Sequence, residues 1–136
     1  MTEPLTGGVH HLGLAVPDLD AAQQFFTDAL GWTLVGGDPA YPATFVTDGR
    51  LMLTLWRIAD PSHATGFDRK TNVGLHHLAL AVADDASLMT VFERLRHYPG
   101  VEIEIDPGFI RGNAGARHFF CTMPGGVRVE FATPFT

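Results

Sequence analysis

The chain has 136 residues, 46% of them hydrophobic, and its 15 acidic side chains against 9 basic ones leave a formal net charge of −6. The few scattered Lys and Arg exclude a basic nucleic-acid-binding patch, and no apolar run nears the roughly 18 residues of a helical membrane span. A chain of this size buries roughly two-thirds of its unfolded surface, enough for a single domain with one core.

The first residues, Met-Thr-Glu-Pro-Leu-Thr-Gly-Gly, carry neither a basic start nor an apolar stretch, so the expectation is no signal peptide and a cytoplasmic protein. Next comes His10-His11-Leu12-Gly13-Leu14-Ala15-Val16. Read as a strand, this places His11, Gly13 and Ala15 on one face and Leu12, Leu14 and Val16 on the other. Asp18 then caps a helix whose apolar positions are Ala22, Phe25, Phe26, Ala29 and Leu30, closed by Gly31. Strands are predicted around Trp32 to Val35, Ala43 to Thr47 and Leu51 to Trp56, with Asp48-Gly49 turning the last hairpin. A polar connector follows over 57–73.

The pattern then starts again, with His76-His77-Leu78-Ala79-Leu80-Ala81-Val82 repeating the first strand 66 positions later. A second helix is predicted after Asp84-Asp85 on the stripe Leu88, Val91, Phe92 and Leu95, ended by Pro99-Gly100. Strands are expected near Val101 to Ile105, Arg117 to Thr122 and Val127 to Ala132, with Pro124-Gly125-Gly126 turning the final hairpin. The fold class is therefore α+β: two tandem βαβββ modules, 9–56 and 74–134, forming a curled mixed sheet around a cavity.

Three side chains carry the chemistry. His11 and His77 share their strand faces with Gly or Ala only, which leaves space in front of each imidazole. On the last strand Val127, Val129 and Phe131 pack inward, leaving Arg128, Glu130 and Ala132 on the other side. A carboxylate in an apolar strand is costly to bury unless it is paired or bound to a cation. Two neutral imidazoles and a carboxylate suit a divalent ion with open coordination positions, as in catalytic sites. The alternatives are hydrogen-bonded histidines at two strand starts and a Glu130 paired with Arg128. His10 and His76 point the other way and read as structural or exposed.

In the first module, Met52, Thr54 and Trp56 share the face that corresponds to Glu130, so Thr54 takes the fourth-ligand position. Trp56, Phe45 and Met52 read as a pocket wall or as core. His118 has the parity of an inward proton shuttle or of a core residue beside Phe120. The stretch 106–116, with Gly108, Gly112, Gly115, Arg111 and Asn113, reads as a lid or a plain hairpin loop, and Arg111 and Arg117 as clamps for an anionic oxygen or surface residues. Cys121, the single cysteine, forms no internal disulfide and sits in an apolar run, where an inert buried thiol is expected.

The doubled His-Leu-x-Leu-Ala-Val strand, the following Pro17-Asp18-Leu19-Asp20 and Phe25-Phe26, and the closing Pro124-Gly125-Gly126-Val127-Arg128-Val129-Glu130 resemble the vicinal oxygen chelate superfamily. That group includes glyoxalase I, methylmalonyl-CoA epimerase, extradiol dioxygenases, fosfomycin-resistance thiol transferases and bleomycin-resistance binding proteins. The resemblance implies metal ligands at His11, His77 and Glu130 for a divalent ion such as Fe, Mn, Zn, Ni or Co. It also implies Glu130 and His118 as the catalytic pair, and a homodimer. A small organic substrate would chelate the metal through vicinal oxygens, in lyase or isomerase chemistry ahead of Fe(II) ring cleavage. Thr54 stands where glyoxalase I and the epimerase usually carry Glu or Gln. A metal-free drug-binding protein of the bleomycin-resistance kind is the reading from another class.

Overall fold

The computed structural model describes residues 2–111 and 115–135. The chain divides between Ala64 and Thr65 into two compact units, inside the predicted connector. Each unit is a βαβββ module with one four-stranded sheet.

In the first module, β1 (Leu12–Val16) runs parallel to β4 (Met52–Arg57), which pairs antiparallel with β3 (Ala43–Thr47), followed by β2 (Thr33–Asp38) at the edge. Strand alternation sorts β1 as expected: Leu14 and Val16 are buried, while Gly13 and Ala15 lie on the open face. Helix α1 (Leu19–Gln24) begins at Asp18, whose carboxylate accepts the Ala21 N–H at 3.0 Å. The helical stripe does not continue as one α-helix to Leu30. Residues Phe25–Ala29 widen into a π turn before Gly31 adopts φ +73° and ends the element. The wider turn lets two consecutive large rings, Phe25 and Phe26, bury completely at 5.1 Å from each other. Together with Val46, Leu53 and Leu55 they make the core of this module.

The second module repeats the order. Strand β5 (Leu78–Ala81) lies parallel to β8 (Arg128–Ala132), which pairs with β7 (Arg117–Thr122), and β6 (Glu102–Phe109) forms the edge. Helix α2 (Asp85–Leu95) is capped by Asp84, which accepts the Ser87 N–H at 2.8 Å and whose carboxyl is held below its usual range by that bond. Its Leu88, Phe92 and Leu95 are buried, and Phe92 meets Phe119, which stacks on Phe131 at 5.1 Å. Fully burying side chains of this size contributes roughly 1.5–3 kcal/mol each.

Strand β6 is longer than predicted, because two register shifts against β7 absorb Glu104 and the Asp106-Pro107 step and let pairing resume at Gly108. The first four residues of the expected lid, 106–109, are therefore strand. Gly112 and Asn113 of that stretch lie outside the described residues. No helix among the described residues is long and apolar enough to cross a membrane.

Candidate functional site

The register of β5, β8 and β7 builds the site in the second module. Glu130 sits between Ala79 on one side and Phe120 on the other, and His118 lies diagonally across from it, opposite Ala132. Because Ala79 contributes only a methyl group, the carboxylate reaches the open face without steric competition. Glu130 is 8% exposed, and its two oxygens are divided between two imidazoles: Oε1 lies 3.1 Å from His77 Nε2, and Oε2 lies 2.5 Å from His118 Nδ1. Phe120 is a shared wall, with its ring centre 5.1 Å from that of His77 and 5.4 Å from that of His118.

Arg128, the alternative partner for Glu130, is engaged elsewhere. Its Nε and Nη2 donate to Glu104 Oε2 at 2.7 and 2.6 Å, and its guanidinium lies over the Phe120 ring at 4.1 Å from the centroid. The Arg128 hydrogen bond holds the Glu104 carboxyl below its usual range. His76 is exposed; its Nδ1 lies 2.8 Å from His77 Nδ1 and 3.4 Å from Arg128 Nη1, and its pKa is lowered by desolvation and by the Arg128 charge. Sequence reasoning missed Glu104 because a lone charged residue on an edge strand reads as solvated. No sequence signal marks the pairing, because β7 lies between the two strands and Glu104 falls in a register shift.

The first module presents the matching positions without the matching chemistry. Thr54 occupies the place of Glu130, between Gly13 and Phe45. It is buried, accepts the indole N–H of Trp56 at 2.8 Å, and makes a long contact of 3.5 Å to the Leu12 carbonyl. A Cβ on Gly13 would stand 3.2 Å from the Thr54 hydroxyl and 3.4 Å from the indole nitrogen, so the glycine is what makes room for this pair. Trp56 packs against Tyr41 at 5.3 Å and Phe45 at 6.3 Å. Tyr41, a loop residue, was not expected here. His11 is exposed at the start of β1, with Nδ1 2.8 Å from His10 Nδ1. Met52 is half-buried at the hairpin end of β4, opposite Thr47.

The two arginines expected as oxygen clamps differ in placement. Arg111 is exposed, whereas Arg117 lies over the Phe109 ring at 4.3 Å and pairs with Asp85 at 3.5 Å. Among the described residues, no group of three or more His, Cys, Asp or Glu is gathered to hold a metal ion. What the structure brings together is His77, Glu130 and His118, through a 3.1 Å contact of His77 with the carboxylate and a hydrogen bond of His118 to it.

Residues 8–131 match the family model of the Glyoxalase/Bleomycin resistance protein/Dioxygenase superfamily, and the chain belongs to that family. A 2-epi-5-epi-valiolone epimerase from Actinomyces sp. is 35% identical over 144 residues, covering 90% of this chain and 76% of the relative. Among solved structures, a lactoylglutathione lyase from Agrobacterium tumefaciens superposes with TM-score 0.69 at 23% identity, over 96% of both chains. A glyoxylase/bleomycin resistance protein/dioxygenase domain from Frankia sp. EAN1pec gives TM-score 0.74 at 24% identity, over 94% of this chain and 92% of that one. A genomically encoded fosfomycin resistance protein from Listeria monocytogenes gives 0.73 at 15%, over 96% of this chain and 95% of that one. These structures share the fold. The family and the epimerase relative support an enzyme that modifies a small molecule.

Proposed function

We propose that the chain is a divalent-metal-dependent isomerase or lyase that moves a proton beside a carbonyl of a small organic substrate, with His11, His77 and Glu130 as metal ligands. The observation that carries this reading is Glu130, a carboxylate 8% exposed whose ionic partners among the described residues are His77 and His118. A buried carboxylate set against imidazoles in place of Lys or Arg suits a cation-binding role. The donor set fits a first-row divalent ion: imidazole nitrogen and carboxylate oxygen are its preferred ligands. His77 and Glu130 already lie within 3.1 Å, and the His77 side chain is 33% exposed. The third donor is assigned to His11, which holds in the first module the place His77 holds in the second.

When bound, such an ion acts as a Lewis acid on the substrate oxygens it holds. Glu130 and His118 would do the proton work: their hydrogen bond orients the imidazole, which takes a proton from one face of the carbon next to the carbonyl, and inversion follows when a solvent-derived proton is delivered to the opposite face. Thr54 does not compete as a ligand, since its hydroxyl already accepts from Trp56. The relationship to an epimerase favours inversion at that carbon over carbon–sulfur chemistry. On the family resemblance, the working form is a homodimer.

Ion analysis of protein purified without chelators, with His77→Ala beside it, tests the metal. The expected result is a stoichiometric ion lost in the variant. Incubating 2-epi-5-epi-valiolone with the loaded protein in deuterated water tests the chemistry by wash-in of deuterium at one carbon. If no ion binds from Fe, Mn, Zn, Ni or Co solutions, the metal-free binding protein becomes the better reading.

A further inference from the structure

We propose that Arg128, fixed by Glu104, is a positioning residue: through His76 it sets which nitrogen of His77 holds the proton, and so presents the bare Nε2 of His77 beside Glu130. That an ion takes this lone pair rests on the function proposed above; the proton order itself does not.

The series of contacts starts from a side chain that can only donate hydrogen bonds. Glu104 Oε2 accepts from Nε and Nη2 of Arg128, and the guanidinium rests on the Phe120 ring. Arg69 Nη1 stands 3.5 Å from the other Glu104 oxygen and holds the carboxylate from its far side. With its side chain 8% exposed, Arg128 has little room to turn, and its remaining nitrogen, Nη1, lies 3.4 Å from His76 Nδ1. A proton on that Nδ1 would point at another N–H. His76 therefore offers its lone pair there and carries its own proton on Nε2. His77 Nδ1 lies 2.8 Å from the same nitrogen. Two lone pairs at that distance would repel, so His77 holds its proton on Nδ1 and donates it. The His76 lone pair thus receives two donors, with His77 the nearer.

The consequence appears at the other nitrogen of the ring. With Nδ1 protonated, the neutral His77 imidazole has a bare Nε2, which faces Glu130 Oε1 at 3.1 Å. Two acceptors turned toward one point stand as two ligands of one ion do. An imidazole left to solvent exchanges its proton between its two nitrogens, and the form protonated on Nε2 has no lone pair to give there. The first module shows what the arginine adds. His10 Nδ1 and His11 Nδ1 also stand 2.8 Å apart. By register, however, Thr54 faces Gly13 as Glu130 faces Ala79, which puts Met52 in the place of Arg128. A thioether donates no hydrogen bond. There the contact between the rings leaves the shared proton free to sit on either one.

Long-range ¹H–¹⁵N correlation spectra of the full chain in EDTA at about pH 9, above the ordinary imidazole range, read which ring nitrogen holds the proton. The expected result is His77 protonated on Nδ1 and His76 on Nε2. His76→Ala and Arg128→Met should each return His77 to a mixture of its two neutral forms. His76→Ala alters an exposed residue, so a folded reference remains if Arg128→Met misfolds. Zn²⁺ affinity, read by competition with a chelating dye, should fall roughly 10–100-fold in His76→Ala. His77 protonated on Nε2 in the unaltered chain, or an Nδ1 proton unchanged in His76→Ala, overturns the proton order. Equal Zn²⁺ affinity of the two proteins overturns its role toward the ion. The expected proton order in a chain that takes up no divalent ion would overturn only the metal-enzyme reading. Ion uptake with the proton of His77 on Nε2 in the ion-free chain would overturn only the positioning role.

Discussion

His118 Nδ1 and Glu130 Oε2 lie 2.5 Å apart on adjacent strands, two residues out of register with each other. The diagonal matters, because it leaves Glu130 Oε1 free to face His77 from the opposite side. If Glu130 is a ligand and His118 a proton carrier, their variants must separate. Glu130→Gln is expected to lose the bound ion and turnover together. His118→Ala should keep the ion while kcat falls by roughly 10²–10⁴, the usual worth of a positioned acid or base. Parallel ion analysis and deuterium wash-in check this, and loss of the ion in His118→Ala would make His118 a ligand instead.

The Arg128–Glu104 pair sets an acid limb of stability. Arg128 holds the Glu104 carboxyl below its usual range, so the folded state binds its proton later than the unfolded chain as pH falls. The pair therefore contributes fully above the ordinary glutamate range, and its contribution is lost as pH drops through the depressed value. Glu104→Gln should be less stable at neutral pH by about 1–2 kcal/mol, below the usual cost of breaking a buried pair because the Glu104 side chain keeps 30% exposure. Thermal melts of the two proteins should converge as pH falls below the ordinary glutamate range and through the depressed value. A constant gap down to acid pH would assign the loss to packing instead of charge.

Much of this architecture is legible in the residues, for a reason the two histidine strands make plain. Small residues alternate with Leu and Val after His11 and again after His77, so period alone sorts an open face from a packed one, and the 66-residue repeat transfers each module's layout to the other. Glu130 follows by parity on the last strand. What parity does not convey is which partner a side chain chooses. Arg128 and Glu130 share a face two residues apart, yet Arg128 goes to Glu104 through a strand whose register slips around that residue, and no pattern in the sequence marks the slip. Likewise the π turn at Phe25–Ala29 follows from burying two adjacent rings, a demand of packing that overrides helical period. Tyr41 meets Trp56 from a loop, where period carries no information.

The second module's core depends on Phe119. It is fully buried, stacked on Phe131 and edge-on to Phe92, so no neighbour can move into its place without breaking another ring contact. Phe119→Ala should cost about 3–5 kcal/mol, read from chemical denaturation, and Phe119→Leu clearly less. A loss under about 1 kcal/mol for the alanine variant would mean that the surrounding rings collapse into the cavity.

Cys121 offers a probe of local opening. Burial pushes its thiol up to about 12, with the Glu104 charge adding to the shift, so almost no thiolate forms in the native state at ordinary pH. At pH 8 a disulfide reagent should label the chain only at the rate of unfolding, and denaturant should release one reactive thiol. Fast stoichiometric labelling of folded protein would show that β7 opens locally.

The tightest test of the first module is a single methyl group. Gly13 sits opposite Thr54, and a Cβ there would approach the hydroxyl to 3.2 Å and the indole nitrogen to 3.4 Å. Only the first distance is short for a side-chain carbon, so the Thr54 hydroxyl must give by a few tenths of an ångström and draw away from the indole N–H it accepts. Gly13→Ala should therefore break the Trp56–Thr54 hydrogen bond and let the ring rotate, at a stability cost of about 1 kcal/mol. Stiffening of the unfolded chain offsets part of that cost. In a Trp32→Phe background the change should appear as a shifted, more readily quenched Trp56 emission, with metal uptake unchanged. Identical emission from the glycine and alanine proteins would mean that the indole was never held by Thr54.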